Sequence, residues 1–146
     1  MSKSIAYAAL KCEGSFWTNC NGVKVLSNGD KYVGEFRENK YNGNGTYVSA
    51  NGETYVGNFK NGQRHGYGTY TYNGGSIYAG DFVDGKPHGK GKYTWKNGDT
   101  FVGEYKWGLR NGSGVFTKNN IFLSFFGIKS KKVIGIDDKF KLFLKE

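Results

Sequence analysis

Several ingredients of a typical globular enzyme are scarce in this chain. Of its 146 residues only 37% are hydrophobic, one is proline, two are cysteine and two are histidine. A single proline excludes a collagen-like or proline-rich disordered chain, and the shortage of aliphatic residues excludes a core built mainly from Leu, Ile and Val. No apolar run approaches the ~20 residues of a membrane-spanning helix. The segment Ile5-Ala6-Tyr7-Ala8-Ala9-Leu10 is too short for the apolar region of a secretory leader and has no clear cleavage site. A soluble protein is therefore expected, cytoplasmic by default. Cys12 and Cys20 are the only thiols, and their spacing suits a small disulfide-closed loop; if they are bridged, the expectation changes to an exported protein.

In place of aliphatics the chain has 24 glycines, and 17% of its residues are aromatic, so burial must come from rings laid against glycine. Formal net charge is +9, divided as +2 over residues 1–26, +4 over 27–119 and +3 over 120–146. The middle is nearly balanced and carries no stripe of positive charge, so no nucleic-acid partner is expected.

One short phrase recurs: Tyr32-Val33-Gly34-Glu35-Phe36, Tyr55-Val56-Gly57-Asn58-Phe59, Tyr78-Ala79-Gly80-Asp81-Phe82 and Phe101-Val102-Gly103-Glu104-Tyr105, at a constant step of 23 residues. A second travels with it, beginning Gly43-Asn44-Gly45-Thr46-Tyr47 and continuing as Gly66, Gly68, Tyr70, then Gly89, Gly91, Tyr93, then Gly112, Gly114, Phe116. Fixed-period self-similarity marks a repeat array. Each repeat reads as two strands. The tripeptides Ala50-Asn51-Gly52, Asn73-Gly74-Gly75 and Lys96-Asn97-Gly98 fit three-residue hairpin loops ending in a left-handed glycine. Keeping like faces together pairs Tyr32 with Tyr47, Gly34 with Gly45 and Phe36 with Gly43. It then strings Tyr32, Tyr47, Tyr55, Tyr70, Tyr78, Tyr93 and Phe101 into one row. That row has two readings: a packed core, or an exposed trough for a peptide, glycan or lipid headgroup.

Tyr-x-Gly-x-Phe followed by Gly-x-Gly-x-Tyr on this period resembles the MORN repeat, in four complete copies over residues 28–119. The resemblance implies an all-β fold: an elongated, single-layer, twisted antiparallel sheet with one hairpin per repeat. Residues 1–27 form a degenerate half-repeat, with Cys20 and Gly22 where Gly43 and Gly45 fall one period later; residues 120–146 form a C-terminal cap or tail. Two departures stand out. Asn39 occupies the position of Gly62, Gly85 and Gly108, and Phe101 and Tyr105 exchange the aromatic order.

Chemistry is sparse. His65 and His88 share one repeat position and read as solvent-facing turn residues. Glu35, Asn58, Asp81 and Glu104 recur one per repeat on the face opposite the tyrosines, too far apart for a paired-carboxylate mechanism. No nucleophile, base and orienter converge, so neither catalysis nor a cofactor is expected. The expectation is a scaffold or interaction module that binds a protein partner or itself. The alternative is a membrane-surface adaptor for acidic phospholipid, with Lys129, Lys131 and Lys132 as the lipid contacts.

Overall fold

A computed structural model describes residues 10–119 and the strand at 132–135. Ten strands lie side by side in sequence order in one sheet: β1 (Cys20–Val25), β2 (Lys31–Arg37), β3 (Lys40–Val48), β4 (Thr54–Lys60), β5 (Gln63–Thr71), β6 (Ile77–Val83), β7 (Lys86–Thr94), β8 (Thr100–Lys106), β9 (Leu109–Thr117) and β10 (Lys132–Gly135). All neighbours are antiparallel. At about 4.8 Å per strand the row runs roughly 40 Å.

Two kinds of turn alternate, and residue chemistry selects each. Between repeats, Ser49 N–H donates to the Glu53 carbonyl and Gly52 N–H to the Ser49 carbonyl, closing the loop Ala50-Asn51-Gly52 with Gly52 at φ 90°. The same pattern recurs at Gly29, Gly75 and Gly98, so the expected left-handed glycine is present at every such loop. Within repeats the turns have two residues, both at positive φ: Glu38-Asn39, Asn61-Gly62, Asp84-Gly85 and Trp107-Gly108. This is the mirror-image turn whose twist matches that of the flanking strands.

The expected register holds for Tyr32 with Tyr47 and Gly34 with Gly45, but Phe36 pairs with Tyr41 instead of Gly43. The reason is a bulge. Asn42, Gly43 and Asn44 together oppose the single residue Glu35, and Gly43 turns left-handed at φ 60°. The irregularity recurs between Gly57 and Phe59, Gly80 and Phe82, and Gly103 and Tyr105, with left-handed Gly66, Gly89 and Gly112 opposite. Gly43 still pairs with Phe59 on its other side, so the alternation of Phe with Gly survives only between repeats. As a consequence Tyr41, Arg64, Pro87 and Arg110 sit directly beside Phe36, Phe59, Phe82 and Tyr105.

The core lies on one face of this single layer. Tyr32, Tyr55, Tyr78 and Phe101 are buried, with Phe36, Phe59, Phe82 and Tyr105 beside them. The glycines make this possible. A Cβ on Gly34, Gly45, Gly57 or Gly68 would come closer than 3.0 Å to the Tyr32 or Tyr55 ring that lies over it. The rings meet edge to face in a continuous zigzag: Trp17–Phe36 (4.8 Å between centroids), Phe36–Tyr32 (5.1 Å), Tyr32–Phe59 (5.0 Å), Phe59–Tyr55 (5.0 Å), Tyr55–Phe82 (5.0 Å), Phe82–Tyr78 (5.2 Å) and Tyr78–Tyr105 (4.9 Å). This is the orientation aromatic quadrupoles prefer, and each pair contributes about 0.5–1.5 kcal/mol beyond area burial.

At the N-terminal end Trp17 closes the zigzag. Asn39 explains its departure from glycine here: its side-chain oxygen accepts the Trp17 N–H (2.6 Å), and its own N–H donates to the Trp17 carbonyl (2.8 Å). Cys12 and Cys20 form a disulfide that ties residues 12–20 across this cap, and β1 pairs Cys20 with Phe36 and Gly22 with Gly34.

Candidate functional site

The row Tyr32, Tyr47, Tyr55, Tyr70, Tyr78, Tyr93, Phe101, Phe116 is continuous in the pairing of the strands, yet its alternate members differ. The first-strand rings, Tyr32, Tyr55, Tyr78 and Phe101, lie flat over the glycine pairs and are at most 5% exposed. Tyr32, Tyr55 and Tyr78 each donate a hydroxyl hydrogen bond to the carbonyl three residues on, at Glu35 (2.9 Å), Asn58 (2.9 Å) and Asp81 (3.1 Å). Burial raises their pKa values, that of Tyr55 to about 12. These rings are structural.

The second-strand rings, Tyr47, Tyr70, Tyr93 and Phe116, are only partly buried and pack on the outside of that core. The Tyr47 hydroxyl donates to the Asp30 carboxylate, and the Tyr70 hydroxyl donates to Glu53 (2.7 Å). Asp30 also accepts the Ala50 N–H (2.8 Å) and the Asn28 side-chain amide (2.9 Å). These donors, Tyr47 first among them, hold its carboxyl below the ordinary range. The alternation extends two residues further along the strands. Tyr72 meets Tyr70 (4.7 Å) and Tyr93 (5.8 Å), while Trp95 meets Tyr93 (4.8 Å) and Phe116 (5.5 Å).

Between these outer rings and the bulge-placed residues lie two open recesses. One, about 410 Å³, is lined by Tyr41, Tyr47, Glu53, Arg64 and Tyr70 among others; the second, about 440 Å³, is lined by Tyr72, Tyr93, Trp95, Tyr105 and Arg110 among others. Arg64 lies over the Tyr70 ring (4.8 Å to the centroid), and Arg110 over the rings of Phe101 (5.3 Å) and Trp95 (6.0 Å). Each recess thus offers flat aromatic walls and one guanidinium, a combination suited to gripping an extended chain and the polar groups along it.

The exchange of Phe101 and Tyr105 has a consequence. Phe101 occupies the place over Gly103 and Gly114 where the other copies have tyrosine. Tyr105 brings a hydroxyl into a phenylalanine position, where the side chain is 6% exposed and its oxygen has no hydrogen-bond partner. Leaving a buried hydroxyl unpaired costs about 1–3 kcal/mol, and burial raises its pKa to about 12.

A MORN-repeat sequence model matches residues 32–54, 55–77, 78–100 and 101–120, more than half of the 146-residue chain. The chain belongs to the MORN-repeat family. No curated protein gives a significant match to it. MORN repeats are interaction modules for proteins and membranes, which puts the weight on surfaces.

Of the residues expected to matter, the seven ring positions lie on this MORN face, divided as above into buried and half-buried sets. Arg64, Arg110, Tyr41, Tyr72 and Trp95 join them. Alternation along the strand places Tyr72 and Trp95 two residues past Tyr70 and Tyr93, a signal present in the sequence. The rung of Arg64 and Arg110 depends on the bulge, which strict alternation does not reveal. Lys129 and Lys131 lie outside the described residues; Lys132 stands in β10 opposite Thr117. His65 and His88 also differ from expectation. They lie within β5 and β7, half-buried, and the His88 ring meets Trp107 at 4.9 Å.

Proposed function

We propose that this MORN array is a non-catalytic interaction module that receives an extended segment of a partner protein along its aromatic face. The observation that carries the reading is the division of the ring row. The buried rings already suffice for a continuous core, whereas Tyr47, Tyr70, Tyr93 and Trp95 keep part of their surface open beside two recesses. Half-exposed tyrosine and tryptophan next to arginine are the side chains most often found at the energetic centre of protein interfaces. The opposite face has exposed Val33, Val56 and Val102, and the recess of about 430 Å³ lined by Val23 and Val33 among others has no arginine in its lining.

Site-specific photo-crosslinking in the native host tests this. A photoreactive residue at position 70 or 93 is expected to give discrete adducts with another protein, and one at position 56 or 102 to give none. Adducts only from 56 or 102, or lipid adducts in place of protein ones, would overturn the reading. The Cys12–Cys20 bridge supports assignment to an oxidising compartment, which mass spectrometry of the host's own protein tests: an intact bridge is expected, and free thiols would refute it.

A further inference from the structure

The outer rings of successive repeats differ in how their polar atoms are used. Tyr47 and Tyr70 donate to Asp30 and Glu53. The third copy has Ser76 at that loop position, so Tyr93 has no carboxylate there to meet. Among the described residues the Tyr72 and Tyr93 hydroxyls and the Trp95 indole N–H have no hydrogen-bond partner, and all three side chains are half-buried rather than enclosed. All three line the recess of about 440 Å³. It therefore presents flat ring faces together with unpaired donors that solvent can reach.

We propose that the aromatic face receives a proline-rich stretch of the partner in the polyproline II conformation, with one proline in each recess, six residues apart. The Tyr72 and Tyr93 hydroxyls and the Trp95 N–H donate to its backbone carbonyls. This rests on the proposed interaction function and names the chemistry of the bound segment.

The period of the sheet selects this conformation. Tyr47, Tyr70 and Tyr93 stand on every second strand, a step of about 9.6 Å. A polyproline II helix has three residues per turn at ~3.1 Å each, so it presents the same side about every 9.3 Å. A β-strand laid along the same row also covers the step in about three residues, but residues three apart point to opposite sides. The recesses repeat at twice the step. Tyr41 and Arg64 of the first correspond to Pro87 and Arg110 of the second, four strands on. That is about 19 Å, two turns of the ligand.

The chemistry agrees with the period. Proline has no N–H, so carbonyl acceptors are the polar groups such a segment brings, and an indole N–H is a donor only. Its pyrrolidine rings pack on flat aromatic walls, and the preformed helix loses little conformational freedom on docking. Charge points the same way. Arg64 interacts with Glu53, and Asp84 lines the same recess. Arg110 already lies over the Trp95 and Phe101 rings. The recesses thus call for a neutral ring rather than an ion.

The test selects peptides of about twelve residues from an unconstrained random library on the full chain. Their affinities are then measured for the wild type, Tyr93→Phe, Trp95→Ala and Val56→Ala. Prolines three or six apart are expected in the selected set. Tyr93→Phe is expected to weaken binding about threefold to tenfold through the loss of one hydrogen bond. Phenylalanine already fills this position in the fourth repeat as Phe116, so the variant folds. Trp95→Ala is expected to weaken binding at least tenfold, and Val56→Ala, on the opposite face, to leave it unchanged. Selected peptides without proline, or with prolines at no fixed interval, overturn the polyproline site, as does unchanged affinity for Tyr93→Phe and Trp95→Ala. If such peptides still need Tyr70, the interaction function stands without it. If no peptide is selected and position 70 or 93 gives no photo-adduct, both fall. Binding of cellohexaose through Trp95 where no peptide binds would reassign the recess to glycan.

Discussion

Tyr55 and Tyr70 are paired residues on adjacent strands, identical in type and on the same face, yet one is 1% exposed and the other is half-open. The difference comes from what surrounds them. Tyr55 lies forward along its own strand over Gly57 and Gly68 and is closed in by Phe59 and Phe82. Tyr70 leans the other way, toward the inter-repeat turn, where its hydroxyl reaches Glu53. Glycine pairs thus divide one chemical row into a core and a surface. In a single-layer sheet, with no second sheet among the described residues to bury against, that division lets one face provide both stability and a place to bind.

Truncating the two rings breaks the comparison most sharply. Tyr55→Ala removes a fully buried ring and is expected to cost about 3–5 kcal/mol, lowering Tm by ten degrees or more in a chain of this size. A shift of only a degree or two would mean that the zigzag is not the core. Next in size, Gly68→Ala places a methyl group where the Tyr55 ring lies. About 1–3 kcal/mol of destabilisation is expected by thermal or urea unfolding, whereas Gly62→Ala, with open space around it, acts only through its left-handed backbone and should cost less.

A smaller effect of opposite sign sharpens the contrast between the third and fourth repeats. Tyr78→Phe removes a satisfied hydroxyl and should lower stability by about 1 kcal/mol, while Tyr105→Phe removes an unsatisfied one and should raise it by a similar amount. Equal shifts in one direction would contradict the hydrogen-bond assignment. The smallest effect is a pH dependence. The pKa of Asp30 is depressed by the Tyr47 hydroxyl and the Ala50 N–H, so its contribution is present above the unfolded-state pKa and is lost as pH falls through the lower folded value. Wild type should lose stability below about pH 4 more steeply than Tyr47→Phe. Parallel curves for the two proteins would remove Asp30 from the account.

Much of this architecture is readable in the residues themselves. The constant step between Tyr32, Tyr55, Tyr78 and Phe101 specifies a repeat array, and Asn-Gly at 28–29, 51–52 and 97–98 specifies the inter-repeat loops. The bulge is harder to read. Gly43 looks like one more rung of a glycine ladder, and only its left-handed backbone shows that it admits two extra residues and sets Tyr41 against Phe36. The arginines of the recesses follow from that bulge, so their rung was hidden for the same reason. The roles of Tyr32 and Tyr47 are equally opaque in sequence, because both alternate correctly and only the position of the glycine pair decides which ring is covered. Asn39 looks like a lapse in the repeat until Trp17 is seen to need its side chain.

The most direct test of the division between core and binding face is to measure Tm and photo-crosslinked partner yield together for Tyr55→Ala and Tyr70→Ala. The account predicts a large loss of Tm for Tyr55→Ala. For Tyr70→Ala it predicts a Tm within a few degrees of wild type, as expected for a partly exposed ring, and loss of the adduct formed from position 93. A Tyr70→Ala protein that melts as early as Tyr55→Ala, or that keeps its adduct, would contradict it.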